Sequence, residues 1–565
     1  MRTKGLMVLG AACLGIMTFR ATSRDLVAQN GTALSGVVSS KDEGKMEGVV
    51  VSARRDGGTS TVSVVSNKDG RYTFPRTHLE PGAYKITVRA AGFELTAPAT
   101  ATVAAGSTAA ADLTLDKAKD LTNHLTSIEW INSMNGTPEE KDRVVHQLLG
   151  CNYCHTYQRI MKSKHDAAQF MTVIDRMVKY YADGTAVSND NRRGKAARIQ
   201  EPGRVQFLEQ SPNWGASPGM PRTEVADFFA KNNLSGGRTA LPYTLQALPR
   251  PTGAATNVII TEWDIPKAQT STHDSALDKN GVLWFTDEST QYLGRFDTKT
   301  AAFKEYTMPA IPAGVIPGTR DVITDDNGNV WFPLRNDKGE SMLTRFDPKT
   351  EQTMVVEGVS AQFITKGPDG KIWTGWRRVD PKTMMADGTF SPQGQNGPAP
   401  RGAAAYAGNS EVDSRGNPWE VTQQGPGGVM GFKVAENKGV WYPIDGVAGR
   451  RGTIDSMDRL WFGEYRTDKV FMFDTRSEKS QRWDLPRYSG PYTSSTPDPK
   501  GRVYAPSNMA ERLYRVDPKT NEVIAYLWPT EFDTKKITQV QGPNGPVLWF
   551  TNMRTARVSR VEILD

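Results

Sequence analysis

Lys279-Asn-Gly-Val-Leu-Trp284-Phe285 is a short strand entered through an Asn-Gly turn, and this pattern of turn and aromatic strand recurs to the end of the chain. The marker aromatic residues of successive repeats are 47, 42, 46, 42, 43 and 45 residues apart. A period in the forties, with strands separated by turns, is typical of β-propeller blades. The spacing predicts seven blades, marked by Trp284, Trp331, Trp373, Trp419, Trp461, Tyr504 and Trp549.

The two ends of this repeat predict how the propeller closes. Most units finish with an outer strand such as Phe303-Lys-Glu-Tyr-Thr-Met-Pro309, whereas the last unit stops at Asp565 without one. A suitable strand, Ile260-Thr-Glu-Trp-Asp-Ile-Pro266, stands before the first blade. Pairing it into the last blade would remove two exposed strand edges. We therefore expect residues 257–565 to form one closed propeller.

A second feature, Cys151-Asn-Tyr-Cys154-His155, holds the only cysteines of the chain apart from Cys13. Two thiols at this spacing, followed by histidine, form the attachment pattern of c-type haem. A zinc site normally needs four ligands, and a thioredoxin-like pair needs a βαβ context that this sequence lacks. The motif predicts one covalently bound haem c, with His155 as an iron ligand.

The other axial ligand is predicted from Ser217-Pro-Gly-Met220-Pro221, which lies about 65 residues downstream of the attachment motif. A thioether on the far side of the iron raises the reduction potential, as an electron-transfer haem requires. We expect Met220 to be this ligand. Other residues that could replace it are His165, Met161, Met171 and Met177.

Helical patterns surround both haem motifs. Pro138 and the acids that follow it favour a helix start, and residues 166–181 and 223–231 predict two further helices. The stretch 122–235 resembles a single-haem class I cytochrome c at both the attachment motif and the Met-Pro element. The resemblance implies one-electron transfer.

The region before the helices predicts a small β-sandwich. Short alternating or β-branched strands are separated by turns such as Lys68-Asp-Gly70 and Pro81-Gly82. Asn67-Lys-Asp-Gly-Arg-Tyr-Thr-Phe74 and the stretch 81–93 resemble the carboxypeptidase regulatory-like domain, which implies an accessory module. We assign the sandwich to 29–117 and a Gly- and Pro-containing linker to 236–256.

The N-terminus predicts export. Arg2 and Lys4 precede a mostly apolar run, and Leu26-Val-Ala28 offers a small-residue cleavage site. The run is too short and too poor in bulky residues to be a preferred membrane span, so residues 1–28 are expected to be a cleaved signal peptide. We expect a periplasmic or otherwise exported mature protein without a transmembrane segment.

The composition limits the kinds of partner that the protein is expected to bind. The 565 residues carry a formal net charge of +7, of which about +3 belongs to the predicted signal peptide. Without a lysine- and arginine-dense tract, this charge does not indicate nucleic-acid binding. It is compatible with a periplasmic redox partner or a small anionic substrate.

The propeller resembles the streptogramin (virginiamycin B) lyase family over about 300 residues. The motifs that carry the resemblance are Glu262-Trp-Asp-Ile-Pro266, Asn280-Gly-Val-Leu-Trp-Phe-Thr-Asp287, Tyr292-Leu-Gly-Arg-Phe-Asp297 and Leu460-Trp-Phe-Gly-Glu464. The resemblance implies a channel-lining position 11 residues before each blade tryptophan. It also implies a magnesium-binding acid about three residues after a late tryptophan, with a catalytic histidine two residues further on.

Only part of that pattern is present. His273 occupies the channel position of the first blade, and Glu464 matches the magnesium-binding acid, but Arg466 stands where the histidine belongs. Asn552 holds the acid position of the last blade. A guanidinium cannot act as a base, so the late-blade lyase site is not expected as such. The later channel positions hold Arg320, Gln362, Gly408, Arg450 and Thr493.

These features favour an exported c-type cytochrome whose propeller docks a redox partner or small substrate. One alternative is a magnesium-dependent lyase-like enzyme with an accessory haem domain, and another is a binding scaffold. Whether the chain is an enzyme stays open on the sequence alone. The candidate channel residues are His273, Asp287, Arg320, Arg450 and Glu464, and Glu464 is also the candidate Mg²⁺ ligand.

Overall fold

The computed structural model describes residues 31–148, 156–182, 221–267, 270, 272–287, 292–309, 319–336, 338–392, 397–400, 403–424, 426–445, 449–464 and 467–564. Over these residues the chain is mainly β, with five α-helices between an N-terminal β-sandwich and a long series of small antiparallel sheets.

The N-terminal strands form the β-sandwich that the turn pattern predicts. In one sheet β1 pairs with β2, β5, β9 and β10, and β7 pairs with β10; the other sheet contains β3, β4, β6 and β8. Alternate residues such as Leu34, Val51 and Phe74 are buried between the sheets. The strands are β1 (Thr32–Ser40), β2 (Gly44–Lys45), β3 (Val50–Arg55), β4 (Ser60–Val65), β5 (Arg71–Pro75), β6 (Gly82–Arg89), β7 (Phe93–Leu95), β8 (Ala99–Val103), β9 (Ala109–Ala110) and β10 (Leu113–Lys117).

The C-terminal part is a β-propeller, and its described strands form seven successive blades. The strands of the first four blades are β12 (Thr272–Leu277), β13 (Val282–Asp287), β14 (Tyr292–Asp297), β15 (Phe303–Thr307), β16 (Ile323–Thr324), β17 (Val330–Arg335), β18 (Ser341–Asp347), β19 (Gln352–Ser360), β20 (Thr365–Lys366), β21 (Ile372–Thr374), β22 (Arg377–Asp380), β23 (Met385–Thr389), β24 (Ala404–Val412), β25 (Pro418–Gln424), β26 (Gly428–Lys433) and β27 (Lys438–Pro443). Those of the last three are β28 (Gly449–Ile454), β29 (Arg459–Glu464), β30 (Lys469–Asp474), β31 (Lys479–Asp484), β32 (Val503–Ser507), β33 (Arg512–Asp517), β34 (Glu522–Leu527), β35 (Thr538–Gly542), β36 (Gly545–Asn552) and β37 (Arg557–Ile563).

The predicted closure of the propeller is confirmed. Strand β11 (Val258–Asp264) lies antiparallel to β37, with pairs running from Val258 and Ile563 to Asp264 and Arg557. The strand that precedes the first blade therefore completes the last one. Neither strand leaves a free edge at the join.

The other edge of β11 is also paired, and its partner is β4 of the sandwich. Ile259 pairs with Val64, and the ladder continues to Trp263 and Ser60. The last blade and one sandwich sheet thus form a single eight-stranded sheet in the order β35-β36-β37-β11-β4-β3-β6-β8. The N-terminal domain is joined to the propeller through backbone hydrogen bonds, which a flexibly tethered module would lack.

The helices lie between these two β regions in the sequence. Their bounds are α1 (Ser127–Ser133), α2 (Pro138–Leu148), α3 (Gln158–Met161), α4 (Ala167–Ala182) and α5 (Arg222–Asn232), with short 3₁₀ turns at Leu121–Asn123, Gly253–Thr256 and Val434–Glu436. The helix predicted to begin at Pro138 and the one predicted over 166–181 are both confirmed. No helix in the described part of the chain is long and apolar enough to cross a membrane.

The segment after α5 contacts both the helical region and the sandwich. The backbone N–H of Leu248 donates to Glu129 Oε1 at 2.7 Å, and that of Gln246 donates to Ser133 Oγ at 2.8 Å. Arg250 Nε donates to the carbonyl of Glu47 at 2.9 Å. This connection fixes the helices relative to the sandwich.

Candidate functional site

The predicted haem ligands fall outside the described residues. Cys151, Cys154, His155 and Met220 are all in this group. The structure describes the chain on both sides of them, from α2 before the attachment motif to α5 after the Met-Pro element. Described helices therefore frame both motifs in the sequence.

These helices share an apolar core. Phe170 of α4 packs against Phe229 of α5, with ring centroids 5.4 Å apart. Tyr157, two residues after the attachment histidine, and Met161 are fully buried in the same core. His165 is exposed, and its ring contacts Phe170 edge-on at 5.6 Å. Apolar side chains from both sides of the motif in the sequence thus pack into one core.

The same core continues into the propeller. Ile128 and Trp130 of α1 belong to one buried cluster with Trp461, Tyr488 and Met509 of the fifth and sixth blades. Polar contacts reinforce this packing. The backbone N–H of Ile128 donates to the carbonyl of Met509 at 2.9 Å, and Arg487 pairs with Asp142 of α2 at 2.6 Å. The helical segment is therefore seated on this part of the propeller.

A second candidate site lies where the first strands of the blades converge on the channel. Arg451 of the fifth blade places Nη1 2.5 Å from both carboxylate oxygens of Asp274 in the first blade. Its Nη2 lies 3.3 Å from Asp321 of the second blade. Lys536 of the last blade donates to the same Asp321 at 2.8 Å. These four side chains link four blades across the centre of the ring.

The charges in this network are strongly coupled. Burial alone would raise the pKa of Asp274, but Arg451, with smaller effects from His273 and Lys536, holds that pKa well below its ordinary value. Burial would lower the pKa of Arg451, yet Asp274 and Asp321 raise it above its ordinary value. Arg451 and Asp274 therefore each favour the charged form of the other. Two carboxyl groups and two basic groups meet here, so their formal charges balance, as a buried site requires.

Glu411 of the fourth blade is the titrating member of this channel cluster. Burial raises its pKa to about 7, and the negative charge of Asp321 adds to the effect. The cations Lys536 and Arg451 act in the opposite direction. Thr365 Oγ1 donates to Glu411 Oε2 at 3.3 Å. Glu411 can therefore accept or release a proton near neutral pH.

His273 is a predicted channel residue whose side chain joins this cluster. Its Nδ1 lies 3.2 Å from Asp274 Oδ1 and 3.1 Å from the carbonyl oxygen of Arg320. Its Nε2 has no hydrogen-bond partner among the described residues, although the side chain is only 2% exposed. This nitrogen is available to a ligand or water in the channel.

Arg320 and Arg450 contribute differently. The carbonyl oxygen of Arg320 accepts hydrogen bonds from Thr286 Oγ1 at 2.8 Å as well as from His273. The guanidinium carbon of Arg450 lies 4.6 Å from the ring centroid of Tyr492, and Lys535 covers the same ring at 4.1 Å. The ionic contacts across the channel are made by their sequence neighbours, Asp321 and Arg451.

Glu464 and Asp287 lie at the ends of equivalent strands in the fifth and first blades. Glu464 Oε2 accepts a hydrogen bond from the backbone N–H of Thr467 at 2.5 Å. Asp287 accepts one from Thr270 Oγ1. These hydrogen bonds make each carboxylate an acceptor within its own blade. Across the described residues, no group of three or more His, Cys, Asp or Glu is placed to hold a metal ion.

Comparison with known proteins agrees with the architecture. Residues 33–116 match the carboxypeptidase regulatory-like domain. No curated protein matches the chain.

Three solved structures are similar to about half of this chain. Virginiamycin B lyase from Staphylococcus aureus is 16% identical, with a TM-score of 0.43, covering 54% of this chain and 99% of its own. A streptogramin B lyase is 18% identical, with a TM-score of 0.44 and coverages of 55% and 99%. Hydrazine synthase from Kuenenia stuttgartiensis is 14% identical, with a TM-score of 0.41 and coverages of 53% and 98%. At these values the chemistry of this chain must be judged from its own residues.

Sequence reasoning missed the ionic members of the channel cluster. Asp274, Asp321, Arg451 and Lys536 each follow directly after another polar or charged residue, so composition alone does not single them out. Strand alternation was the available signal, because consecutive residues of a strand point to opposite faces.

Proposed function

We propose that the protein is an exported c-type cytochrome that transfers one electron at a time through one covalently bound haem. The observation that carries this proposal is Cys151-Asn-Tyr-Cys154-His155, the only such motif in the sequence. It stands between helices that share a buried core. The propeller is then a rigid platform that docks a redox partner or a small substrate.

The residues present fit a haem. Two thiols can form thioether bonds to the haem vinyl groups, and imidazole and thioether ligands together suit an electron-transfer iron. The buried apolar core shared by the helices on either side of the attachment motif also suits a large hydrophobic cofactor. When bound, the haem supplies the one-electron redox centre. The chain's own residues attach it, hold its iron and surround it with apolar side chains.

Contacts between the three regions of the chain support this proposed function. The helical segment is anchored to the propeller by apolar packing and by the ion pair between Arg487 and Asp142. The propeller is fixed in turn to the sandwich through β11 and β4. Such a fixed arrangement would hold a partner docked on the propeller at a constant distance from the haem. We further propose that the mature protein acts in the periplasm or outside the cell.

A lyase-like activity is the weaker proposal. Glu464 could still supply one oxygen to Mg²⁺, but its Oε2 already accepts from Thr467. Asp468, whose carboxyl group feels the charge of Glu464, accepts hydrogen bonds from the backbone N–H groups of Tyr488 and Gly490, at 2.7 and 2.8 Å. These contacts tie the fifth blade to the following loop. These hydrogen bonds give Glu464 and Asp468 structural roles, so neither acid requires a catalytic role.

Replacing Cys151 and Cys154 with serine tests the haem attachment. We expect the wild-type protein, purified after export, to keep its haem through acid-acetone extraction because two thioether bonds hold it. The double variant should lose its haem to the solvent or contain none, as measured by a pyridine haemochrome spectrum. Covalent haem in the double variant would refute the assignment.

A second pair of variants tests the axial ligand. Met220→Ala should remove the weak sulfur-to-iron absorption at the red end of the oxidised spectrum and lower the reduction potential, since a thioether favours ferrous iron. His165→Ala is the matched control, because His165 is exposed and lies against Phe170. It should change neither property. The opposite pattern would assign the ligand to His165.

A further inference from the structure

A small cavity lies where the sandwich, the helical segment and the propeller meet. Its lining includes Arg89 of the sandwich, His124 and Glu129 of the helical segment, Arg250 of the connection after α5, and Arg512 of the sixth blade. Its volume is about 10 Å³. This is close to the smallest space that can hold one water-sized particle. The cavity therefore suits one water molecule or one monatomic ion, and it is too small for phosphate or an organic ligand.

Arg512 is the buried cation of this cavity. It is 6% exposed, and its Nη1 and Nη2 donate to the backbone carbonyls of Ala510 and Pro249, at 3.2 and 3.4 Å. These are the hydrogen bonds of its guanidinium in the described part of the chain, and neither partner carries a formal charge. A guanidinium has five N–H donors, so donors remain for a ligand. A buried charge is costly unless an opposite charge accompanies it.

The pKa of Arg512 shows that its charge is poorly compensated. Burial lowers this pKa, and neighbouring glutamates oppose the effect without cancelling it. Arg451 in the channel behaves in the opposite way, because its two aspartate partners raise its pKa above the ordinary value. Burial also lowers the pKa of His124, and the charge of Arg89 adds to that effect. A negative charge in the cavity would stabilise the charged forms of both Arg512 and His124.

The carboxylate in the lining is already supplied with donors. Glu129 Oε2 accepts hydrogen bonds from the backbone N–H and from Oγ1 of Thr126, both at 2.7 Å. Glu129 Oε1 accepts one from the backbone N–H of Leu248 at 2.7 Å. Both oxygens are thus held by the helical segment and by the connection after α5. The carboxylate does not extend to Arg512 as an ion-pair partner.

The other two arginines of the lining have partners outside it. Arg250 pairs with Glu43 of the sandwich. Arg89 pairs with Glu511, and Glu511 is shared with Arg554 of the last blade. Three arginines therefore reach the cavity wall against one carboxylate. This wall favours an anion over water.

We propose that the cavity binds one monatomic anion, chloride in ordinary salt solutions, next to the guanidinium of Arg512. The walls come from the sandwich, the helical segment and the propeller, so the anion stabilises the junction of all three. This inference does not depend on the proposed haem, because it uses only residues of the junction.

The first test measures stability in different salts. In the full-length protein, chloride in place of gluconate at constant ionic strength should raise the melting temperature, by roughly 2 °C at about a hundredfold excess over the dissociation constant. Arg512→Met should abolish this rise, whereas Arg482→Met, at an exposed position of β31, should keep it. An equal rise in Arg512→Met, or none in the wild type, would overturn the proposal. Equal, Arg512-dependent stabilisation by phosphate would also overturn it, because phosphate is too large for the cavity.

The second test locates the ion and needs no variant. Bromide has the charge of chloride and a similar size, and anomalous X-ray scattering identifies it. Crystals of the full-length protein grown with bromide should show an anomalous peak in the cavity, beside the guanidinium of Arg512. A cavity without such a peak holds water, and that result would overturn the proposal. Protein purified without covalent haem would refute the proposed function and leave this inference unaffected.

Discussion

Replacing Arg451 with methionine should destabilise the folded protein by about 3–5 kcal/mol at pH 7, the usual effect of removing one partner from a buried ion pair. Arg451 is 6% exposed and contacts both Asp274 and Asp321 across the channel. The variant would leave Asp274 without its main counter-charge. Lys536 would still pair with Asp321. The free energy of unfolding in urea measures the effect.

The stability lost in Arg451→Met should depend on pH in a defined direction. In the wild-type protein the pKa of Asp274 lies below its ordinary value, so the stability that this group contributes is present above about pH 4 and declines as the pH falls towards the lowered pKa. Without Arg451, burial raises the pKa of Asp274 instead. The carboxyl group of the variant can then take up a proton in mild acid. The difference between variant and wild type should therefore shrink below about pH 5.

Arg482→Met is the matched control, since it removes the same charge from an exposed position of β31 in the same blade. We expect it to cost far less than Arg451→Met, because substitutions at exposed positions usually change the stability by no more than about 0.5 kcal/mol. Equal losses from the two variants would show that the channel network contributes no special stability.

Local patterns predicted most of the architecture. The spacing of Trp284 and its six counterparts, together with the strand at 260–266, predicted the blades and their closure because blades repeat one local unit. Pro138 marked the start of α2 for an equally local reason, since proline fits the first turn of a helix. The haem ligands were predicted from spacing too, and they remain predictions.

The join between the sandwich and the propeller could not be predicted in this way. Strand β4 lies about 200 residues before β11, and nothing in either strand specifies the other as its partner. Alternating valines at Val62 and Val64 suit any half-buried sheet. Pairing between distant edges depends on the three-dimensional arrangement of both domains. A single sequence does not contain that information in readable form.

The channel residues show a second limit of prediction from sequence. The repeat placed Arg320 and Arg450 at channel positions, but the structure brings the side chains of Asp321 and Arg451 into the ionic network. In a strand, a shift of one residue moves a side chain to the opposite face. The repeat identifies the strand correctly. It does not fix which of two adjacent charged residues faces the channel.

Glu420→Gln should stabilise the protein at alkaline pH by a few kcal/mol. Glu420 stands directly after Trp419, where four other blades have a buried phenylalanine, namely Phe285, Phe332, Phe462 and Phe550. Burial raises the pKa of Glu420 to about 8, and its Oε1 has no partner among the described residues. The folded protein therefore keeps this carboxyl group protonated, whereas the unfolded chain ionises it near pH 4.5.

The sign of the effect follows from that difference. Because its pKa is raised, Glu420 contributes fully to the free energy of unfolding below about pH 4.5. This contribution is lost as the pH rises towards 8, by about 1.4 kcal/mol for each pH unit. Glutamine cannot ionise, so urea unfolding should give similar stabilities for variant and wild type near pH 4.5 and an advantage for the variant that grows up to about pH 8. Glu357→Gln, at an exposed position of β19, should show no such trend. Parallel stability curves for Glu420→Gln and wild type would mean that Glu420 is ionised in the folded protein, stabilised by a partner outside the described residues.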